Sequence, residues 1–402
     1  MIKTILLRVL FVLVIVNLFT ACTKQPDSTP NTSVISYSSD VFVGGNDGYQ
    51  SYRIPAMVKA KDGSLLAFIE GRVSSSNDFG KINILVKRST DNGKTWGTAQ
   101  VVAQNGNLQA GNPSPVVDNT DPAYPQGRIF LFYCTGNNTE ANVANLTGVR
   151  EVWYKTSTDN GITWSSPVNI TLQVHHPYQP TFNAAYTDPM KWSTYATAPG
   201  HALQLTQGVR RGRIVVPINH GIYSNKTNYA AAFYSDDHGA TFHLTPDVGM
   251  KSNETIAAEL PGGGVLLNSR DQYLGSYTRI LSYDSTAISL NGPITWQTSF
   301  NTTLPDPVCQ ASMINYTTST GKSILLFSNP TNTNHTRTIL GVRQSTDLGK
   351  TWSSPLILDS GYASYSDLVI LPDNNNIGVL YESKNVTAVT FVVFPYSKLA
   401  PQ

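Results

Sequence analysis

Ser89-Thr90-Asp91-Asn92-Gly93-Lys94-Thr95-Trp96 is written more than once in this chain. It returns as Ser157-Thr158-Asp159-Asn160-Gly161-Ile162-Thr163-Trp164 and as Ser345-Thr346-Asp347-Leu348-Gly349-Lys350-Thr351-Trp352. A weaker form is Ser235-Asp236-Asp237-His238-Gly239-Ala240-Thr241-Phe242. Four copies of one S-x-D-x-G-x-T-W/F pattern mark internal repetition, the feature that most constrains a fold. Each copy follows an extended apolar run: Ile82 to Val86, Val152 to Thr156, Ala230 to Tyr234 and Leu340 to Arg343. The residue types suit a hairpin turn. The Asp carboxylate accepts backbone N–H bonds inside the turn, Gly supplies positive φ, and the aromatic plugs the turn into its neighbours. These boxes therefore staple turns and carry no chemistry. The widest interval, between the third and fourth copies, leaves room for an unmarked unit around Trp296.

Outward from the boxes, further strand-like runs fill the intervals: Leu65 to Glu70, Arg128 to Tyr133, Arg213 to Ile218, Val265 to Asn268, Ser323 to Phe327, Ile377 to Tyr381 and Val389 to Phe394. No stretch shows the period of an amphipathic helix. Among 402 residues, 30 Gly and 23 Pro with only 13% charged residues fit a turn-rich β protein and exclude a coiled coil or a charged disordered chain. Short strands with periodic aromatic turns predict an all-β, radial β-propeller stapled by these Asp-box turns. Lys plus Arg (28) nearly cancels Asp plus Glu (26), so a net charge of +2 gives no basis for a nucleic-acid partner.

The N-terminus reads differently. Lys3 and Arg8 precede the apolar run Val9 to Phe19, shaped as a secretory signal. It ends in Leu18-Phe19-Thr20-Ala21-Cys22, which resembles a bacterial lipoprotein cleavage box, with Phe19 where Leu is usual. Residues 1–21 are expected to be a signal peptide, Cys22 the lipidated residue, 22–32 a polar tether and 33–402 one domain. The resemblance implies an exported protein anchored by lipid to the outer membrane, with no other membrane contact. Cys134 and Cys309 remain, too few for a disulfide scaffold, and are expected as buried free thiols.

The boxes, taken with Tyr52-Arg53-Ile54-Pro55, resemble the bacterial exo-α-sialidase (neuraminidase) family, known as six-bladed propellers. The resemblance extends over nearly the whole chain after the tether. The substrate implied is a terminal sialic acid on a glycoconjugate, whose carboxylate sits on its anomeric carbon. Arginine suits that anion because its planar fork binds carboxylates bidentately and stays charged. The family uses three. Arg53 matches the first, Arg270 in Asn268-Ser269-Arg270-Asp271 the second, and Arg337 the third, with Arg343 as a rival.

A carboxylate nucleophile would meet an anomeric centre that already bears a negative group. A neutral tyrosine avoids that repulsion but needs a base, and sialidases are known for a tyrosine nucleophile. Tyr365 in Ala363-Ser364-Tyr365-Ser366-Asp367 resembles that segment, and Glu254 is its expected base, with Glu259 as competitor. Asp78, on the loop after Glu70-Gly71-Arg72, matches the family's acid/base, and Arg72 resembles a further site arginine.

Pro199-Gly200-His201-Ala202 and Asn112-Pro113-Ser114-Pro115 echo a mid-chain block and a rim loop, with no role in the chemistry assigned. No metal or organic cofactor is implied. The chain lacks H-E-x-x-H, G-x-S-x-G and Walker patterns, and the adjacent pair His175-His176 would diverge on a strand. The reading is a monomeric, retaining exo-α-sialidase. The alternatives are a trans-sialidase on the same scaffold and a silent propeller that binds sialylated glycans.

Overall fold

A computed structural model describes residues 30–272, 278–284, 294–334 and 336–399. The expected signal peptide, Cys22 and most of the tether lie outside the described residues. Strands run antiparallel, mostly in groups of four. Ser51–Lys59, Leu65–Arg72, Ile82–Ser89 and Gln100–Ala103 form the first group. It touches the second group, Gln109–Asp118, Arg128–Gly136, Arg150–Ser157 and Val168–Asn169, through one parallel pair, Ile82 and Gln109. A third sheet joins Trp192–Thr197 and Leu203–Gln204 to Ile214–Ile222, Thr227–Ser235 and His243–Leu244. Thr255–Leu260, Gly264–Ser269, Thr278–Asp284 and Trp296–Pro305 make a fourth, which fills the interval left open around Trp296.

The last sheet holds seven strands because one of them is shared. Leu356–Ile370 pairs first with Thr338–Ser345, then shifts register and pairs with Asn376–Ser383. Tyr37–Val43 then lies beside Ala388–Pro395, so the first strand of the described chain completes the sheet made by the last. Helix is confined to single turns such as Glu140–Ala144 and Thr171–Val174 among the described residues. Cys134 and Cys309 are buried and unbridged, as expected.

All four boxes fold alike. Ser89 Oγ donates to Asp91 Oδ1 at 2.8 Å and accepts from Gly93 N at 2.8 Å, while Thr95 N donates to Asp91 Oδ1 at 2.9 Å. Ser157, Asp159, Gly161 and Thr163 repeat the pattern, as do Ser235 to Thr241 and Ser345 to Thr351. The glycine serves two purposes. At Gly93 φ is +86°, and an added Cβ would stand 2.2 Å from the Phe391 ring; at Gly161 it would stand 2.4 Å from Leu66. Each box is thus pressed onto the strand group before it, and the first box is pressed onto the last group. Trp96 meets Phe391 edge-on at 5.5 Å and Trp164 meets Phe68 at 5.8 Å, sealing the same seams.

The first strands of the first two groups behave differently from the outer ones. Ser51–Lys59 breaks register between Arg53 and Ala56, with Ile54 at φ +64°. Gln109–Asp118 breaks register between Gly111 and Ser114, with Asn112 at φ +57°. The stretch Asn112-Pro113-Ser114-Pro115 is therefore not the rim loop that its resemblance implied but part of a bulged strand, and bulges re-aim side chains next to sites.

Candidate active site

The strand Leu356–Ile370 carries Tyr365 at the point where its pairing shifts from one partner strand to the other. Its ring is buried with Ile54 and Cys309, and its hydroxyl donates a very short hydrogen bond to Glu254 Oε1. Glu254 precedes the strand Thr255–Leu260, and its other oxygen, Oε2, takes Arg270 Nη1 at 2.8 Å. Arg270 also reaches the Tyr365 hydroxyl at 3.4 Å. Paired backbone bonds between Glu254 and Arg270 and between Asn253 and Arg270 hold the two residues in register (2.8 and 3.1 Å). Burial, and then the Glu254 charge, push the Tyr365 phenol well above its ordinary value, with Arg270 and Arg337 pulling the other way. The resting tyrosine is a neutral phenol hydrogen-bonded to Glu254.

The other two expected arginines flank the same ring. Arg53 lies 5.5 Å and Arg337 5.4 Å from the centroid of Tyr365. Arg53 Nε is held by Glu382 Oε1 at 2.6 Å, and the strained Ile54 N–H donates to that same oxygen at 2.9 Å. Burial opposes the Arg53 charge, but Glu382 more than offsets it and holds the guanidinium firmly protonated. Arg337 has no carboxylate within ion-pair distance among the described residues. It bonds the Val308 carbonyl at 2.9 Å and Ser364 Oγ at 3.3 Å. The rival Arg343 points elsewhere, toward Asn329 at 3.5 Å, and burial pushes it down to about 10.

Arg72 and Asp78 form the opposite wall. Arg72 Nη1 meets Asp78 Oδ1 at 2.7 Å, and Nη2 meets Glu70 Oε2 at 2.7 Å. Glu70 Oε1 in turn accepts the Asn112 N–H at 2.8 Å, which the bulge points inward. The Asp78 side chain is 82% exposed. A cavity of about 320 Å³ is lined by Asp78, Arg72, Glu254, Arg270 and Tyr365 together. A larger one, about 550 Å³, is lined by Glu259, Gln204 and Lys59 and touches none of the seven expected residues. There Glu259 is committed to the N–H groups of Thr206 and Gln207 at 2.8 Å each, so it is not the base.

All seven expected residues therefore converge, across 300 positions of chain. Reading the sequence missed Glu382 and the role of Glu70, the carboxylates that hold Arg53 and Arg72. Glu382 follows the strand run Ile377 to Tyr381 with no motif of its own, and only its place beside Arg53 gives it away. His201 sits behind the site instead. Its Nδ1 pairs with Asp367 Oδ1 at 2.7 Å, and Asp367 also accepts from Met57 N at 2.7 Å and Ser312 Oγ at 2.7 Å. His175 and His176 both pack on Trp192, and His176 pairs with Asp188 at 2.7 Å.

Residues 63–380 match the family described as a BNR repeat-like domain. The chain is 30% identical over 383 residues to Sialidase-2 of Rattus norvegicus, covering 87% of this chain and 94% of that one. The chain belongs to the sialidase family. A sialidase of Micromonospora viridifaciens is 33% identical over 370 residues, and this chain spans about half of its length (53%). Among solved structures, the Hadza microbial sialidase Hz136 superposes with a TM-score of 0.76 at 29% identity, over 90% of this chain and 69% of that one. The sialidase sheets described above share its β-propeller architecture.

Proposed function

We propose that this sialidase-family chain is an exo-α-sialidase that cleaves terminal α-linked sialic acid from glycoconjugates with retention of configuration. One observation carries the reading: a buried tyrosine hydrogen-bonded to a glutamate, with three arginines gathered around its ring. Arg53, Arg270 and Arg337 would hold the substrate carboxylate and so set the anomeric carbon over the Tyr365 oxygen. As that oxygen attacks, Glu254 takes the phenolic proton and Asp78 gives a proton to the departing glycosidic oxygen. The anomeric carbon is then bonded to Tyr365. Asp78, now a carboxylate, takes a proton from water, whose oxygen displaces the tyrosine, and Glu254 returns the phenolic proton.

Six groups of strands, with the shared strand Leu356–Ile370 serving two of them, favour a six-bladed propeller closed by Tyr37–Val43. Residues 33–402 are read as that one domain. The cleavage box ending at Cys22 favours export and lipid anchoring, which growth with labelled palmitate would test against Cys22→Ala.

The test of activity is release of a fluorescent aglycone from an α-sialoside by residues 23–402, beside Tyr365→Phe and Asp78→Ala. Activity in the parent, with a loss of about 10³-fold or more in Tyr365→Phe, supports the reading. NMR should show the α-anomer of free sialic acid forming first. Undiminished activity in Tyr365→Phe overturns the assignment of the nucleophile. An inactive parent that binds the sugar is a capture module instead.

A further inference from the structure

Val308 is a β-branched residue held at φ +56°, a conformation that such side chains avoid. It lies between the strands Trp296–Pro305 and Ser312–Thr317, and its carbonyl accepts Arg337 Nη2 at 2.9 Å. Strain of that kind persists only where the surroundings impose it. What imposes it here is a carboxylate outside the seven expected residues. Asp306 is 1% exposed, and its Oδ1 accepts the Cys309 N–H at 3.2 Å, so residues 306–309 are closed into a turn that contains Val308.

The same carboxylate reaches a second arginine. Asp306 Oδ2 accepts the Asp271 N–H at 2.7 Å, which pins the backbone immediately after Arg270. Arg279, on the strand Thr278–Asp284, supplies the counter-charge and is equally buried. Its Nη1 stands 3.3 Å from Asp306 Oδ2 and donates to the Cys309 carbonyl at 2.7 Å. Its Nε and Nη2 donate to the side-chain and main-chain oxygens of Asn268 at 2.7 and 3.2 Å. Neither Asp306 nor Arg279 lines the cavity around Tyr365.

A buried ion pair is a costly way to fasten strands, since apolar residues of the same volume do so as well or better. What apolar residues cannot do is grip main-chain groups. This pair grips three, the Asp271 N–H and the N–H and carbonyl of Cys309. One adjoins Arg270, and the other two adjoin the Val308 carbonyl that holds Arg337. Arg53 has its own support in Glu382, whereas Arg337 has no carboxylate within ion-pair distance among the described residues.

We propose that Asp306 and Arg279 are positioning residues that set the spacing of Arg270 and Arg337, and through it the grip on the substrate carboxylate. The proposal rests on the sialidase reading above.

Calorimetric Kd values for free sialic acid and for its methyl ester test it. They are measured for the parent, Asp306→Asn, Arg279→Lys and the turn variant Asp159→Ala, each where circular dichroism shows it folded. The parent should prefer the acid by about a hundredfold or more, because the ester removes the charge that the arginines share. Asp306→Asn and Arg279→Lys should each lower that ratio about tenfold, and Asp159→Ala should leave it unchanged. A merely structural role lowers Tm and the fraction of active protein, neither of which moves a Kd ratio. A ratio within about threefold of the parent in either Asp306→Asn or Arg279→Lys overturns the proposal. If the parent hydrolyses no α-sialoside but keeps its preference for the acid, the activity reading has failed, and the variant ratios still decide the positioning role. A parent without that preference has no arginine clamp, and the proposal falls with it. Should neither variant fold, amide exchange in the parent decides. The Asp271 and Cys309 N–H groups should exchange as slowly as those of Gly264–Ser269, and exchange at the rate of an open turn overturns the proposal.

Discussion

The outer turns and the mouth of the cavity are built on opposite principles. Each outer turn repeats the same four residues, Ser, Asp, Gly and Thr, in the same bonds, so Asp91, Asp159, Asp237 and Asp347 are interchangeable. At the mouth nothing repeats: Arg53, Glu254, Arg270, Arg337 and Tyr365 each arrive from a different segment, and Glu254 alone serves both Arg270 and Tyr365. Repetition is what a seam needs, because every group must be fastened to the one before it. A site that holds one asymmetric molecule needs the reverse. Substitutions at the mouth should therefore change rate with little change in melting, and substitutions in the turns should do the opposite.

The largest effect expected is at Glu254. Glu254→Gln keeps a hydrogen-bonding group beside Tyr365 but cannot take its proton, so kcat on an aryl α-sialoside should fall about 10³-fold. The melting temperature, followed by circular dichroism, should stay near that of the parent. A fall of less than about tenfold would mean that the phenol loses its proton elsewhere.

Glu382 should break the separation. It is fully buried and holds both the Arg53 side chain and the Ile54 N–H, so it belongs to the seam and the mouth at once. Glu382→Ala leaves Arg53 buried without its counter-charge, which costs about 3–5 kcal/mol. Both Tm and kcat/KM should drop, with KM rising as the carboxylate clamp loosens. Glu382→Gln should recover much of the Tm but less of the KM. If Tm alone moves in both variants, Arg53 does not bind the substrate.

The turns give the converse case. Gly93→Ala forces a methyl against Phe391 at positive φ, while Asp159→Ala removes the acceptor of the Thr163 N–H and leaves the backbone shape intact. Asp159→Ala should cost about 1–2 kcal/mol, and Gly93→Ala more, with kcat/KM at 25 °C unchanged for both. A turn variant that lost activity in proportion to its Tm would show that the seams tune the mouth.

The same contrast explains what could be read from the sequence. The outer strands, such as Arg128–Gly136 and Ile377–Tyr381 within Asn376–Ser383, were legible because uninterrupted apolar and β-branched runs leave few other conformations. The first strands of the groups were not. Ser51–Lys59 and Gln109–Asp118 carry prolines, glycines and bulges, and nearly every residue is buried, so no alternation marks them. Those irregular strands are the ones that carry Arg53 and aim Asn112. The site residues were named through resemblance to a family, since Tyr365 is one of 20 tyrosines and nothing local separates it. Glu382 matches no motif and became visible only through what it touches.

The smallest effect expected is also the one with opposite signs in the two regions. In the first box, the hydrogen bonds from Thr95 hold the Asp91 carboxyl down to about 2. Its folded value lies below its unfolded one of 3.8, so its contribution is complete above that pH and fades as pH falls toward 2. Behind the mouth, burial disfavours a charged His201, but Asp367 prevails and raises the imidazole above 6.5. That contribution is complete below 6.5 and fades as pH rises through the folded value. Tm measured against pH for the parent, Asp91→Asn and His201→Gln should separate them. The Asp91→Asn difference should narrow only on the acid side, and salt should weaken it because the turn faces solvent. The His201→Gln difference should narrow only on the alkaline side and resist salt, since Asp367 is fully buried. Were both differences to narrow at the same end of the pH range, the fastening of the rim and of the centre would not be separate devices.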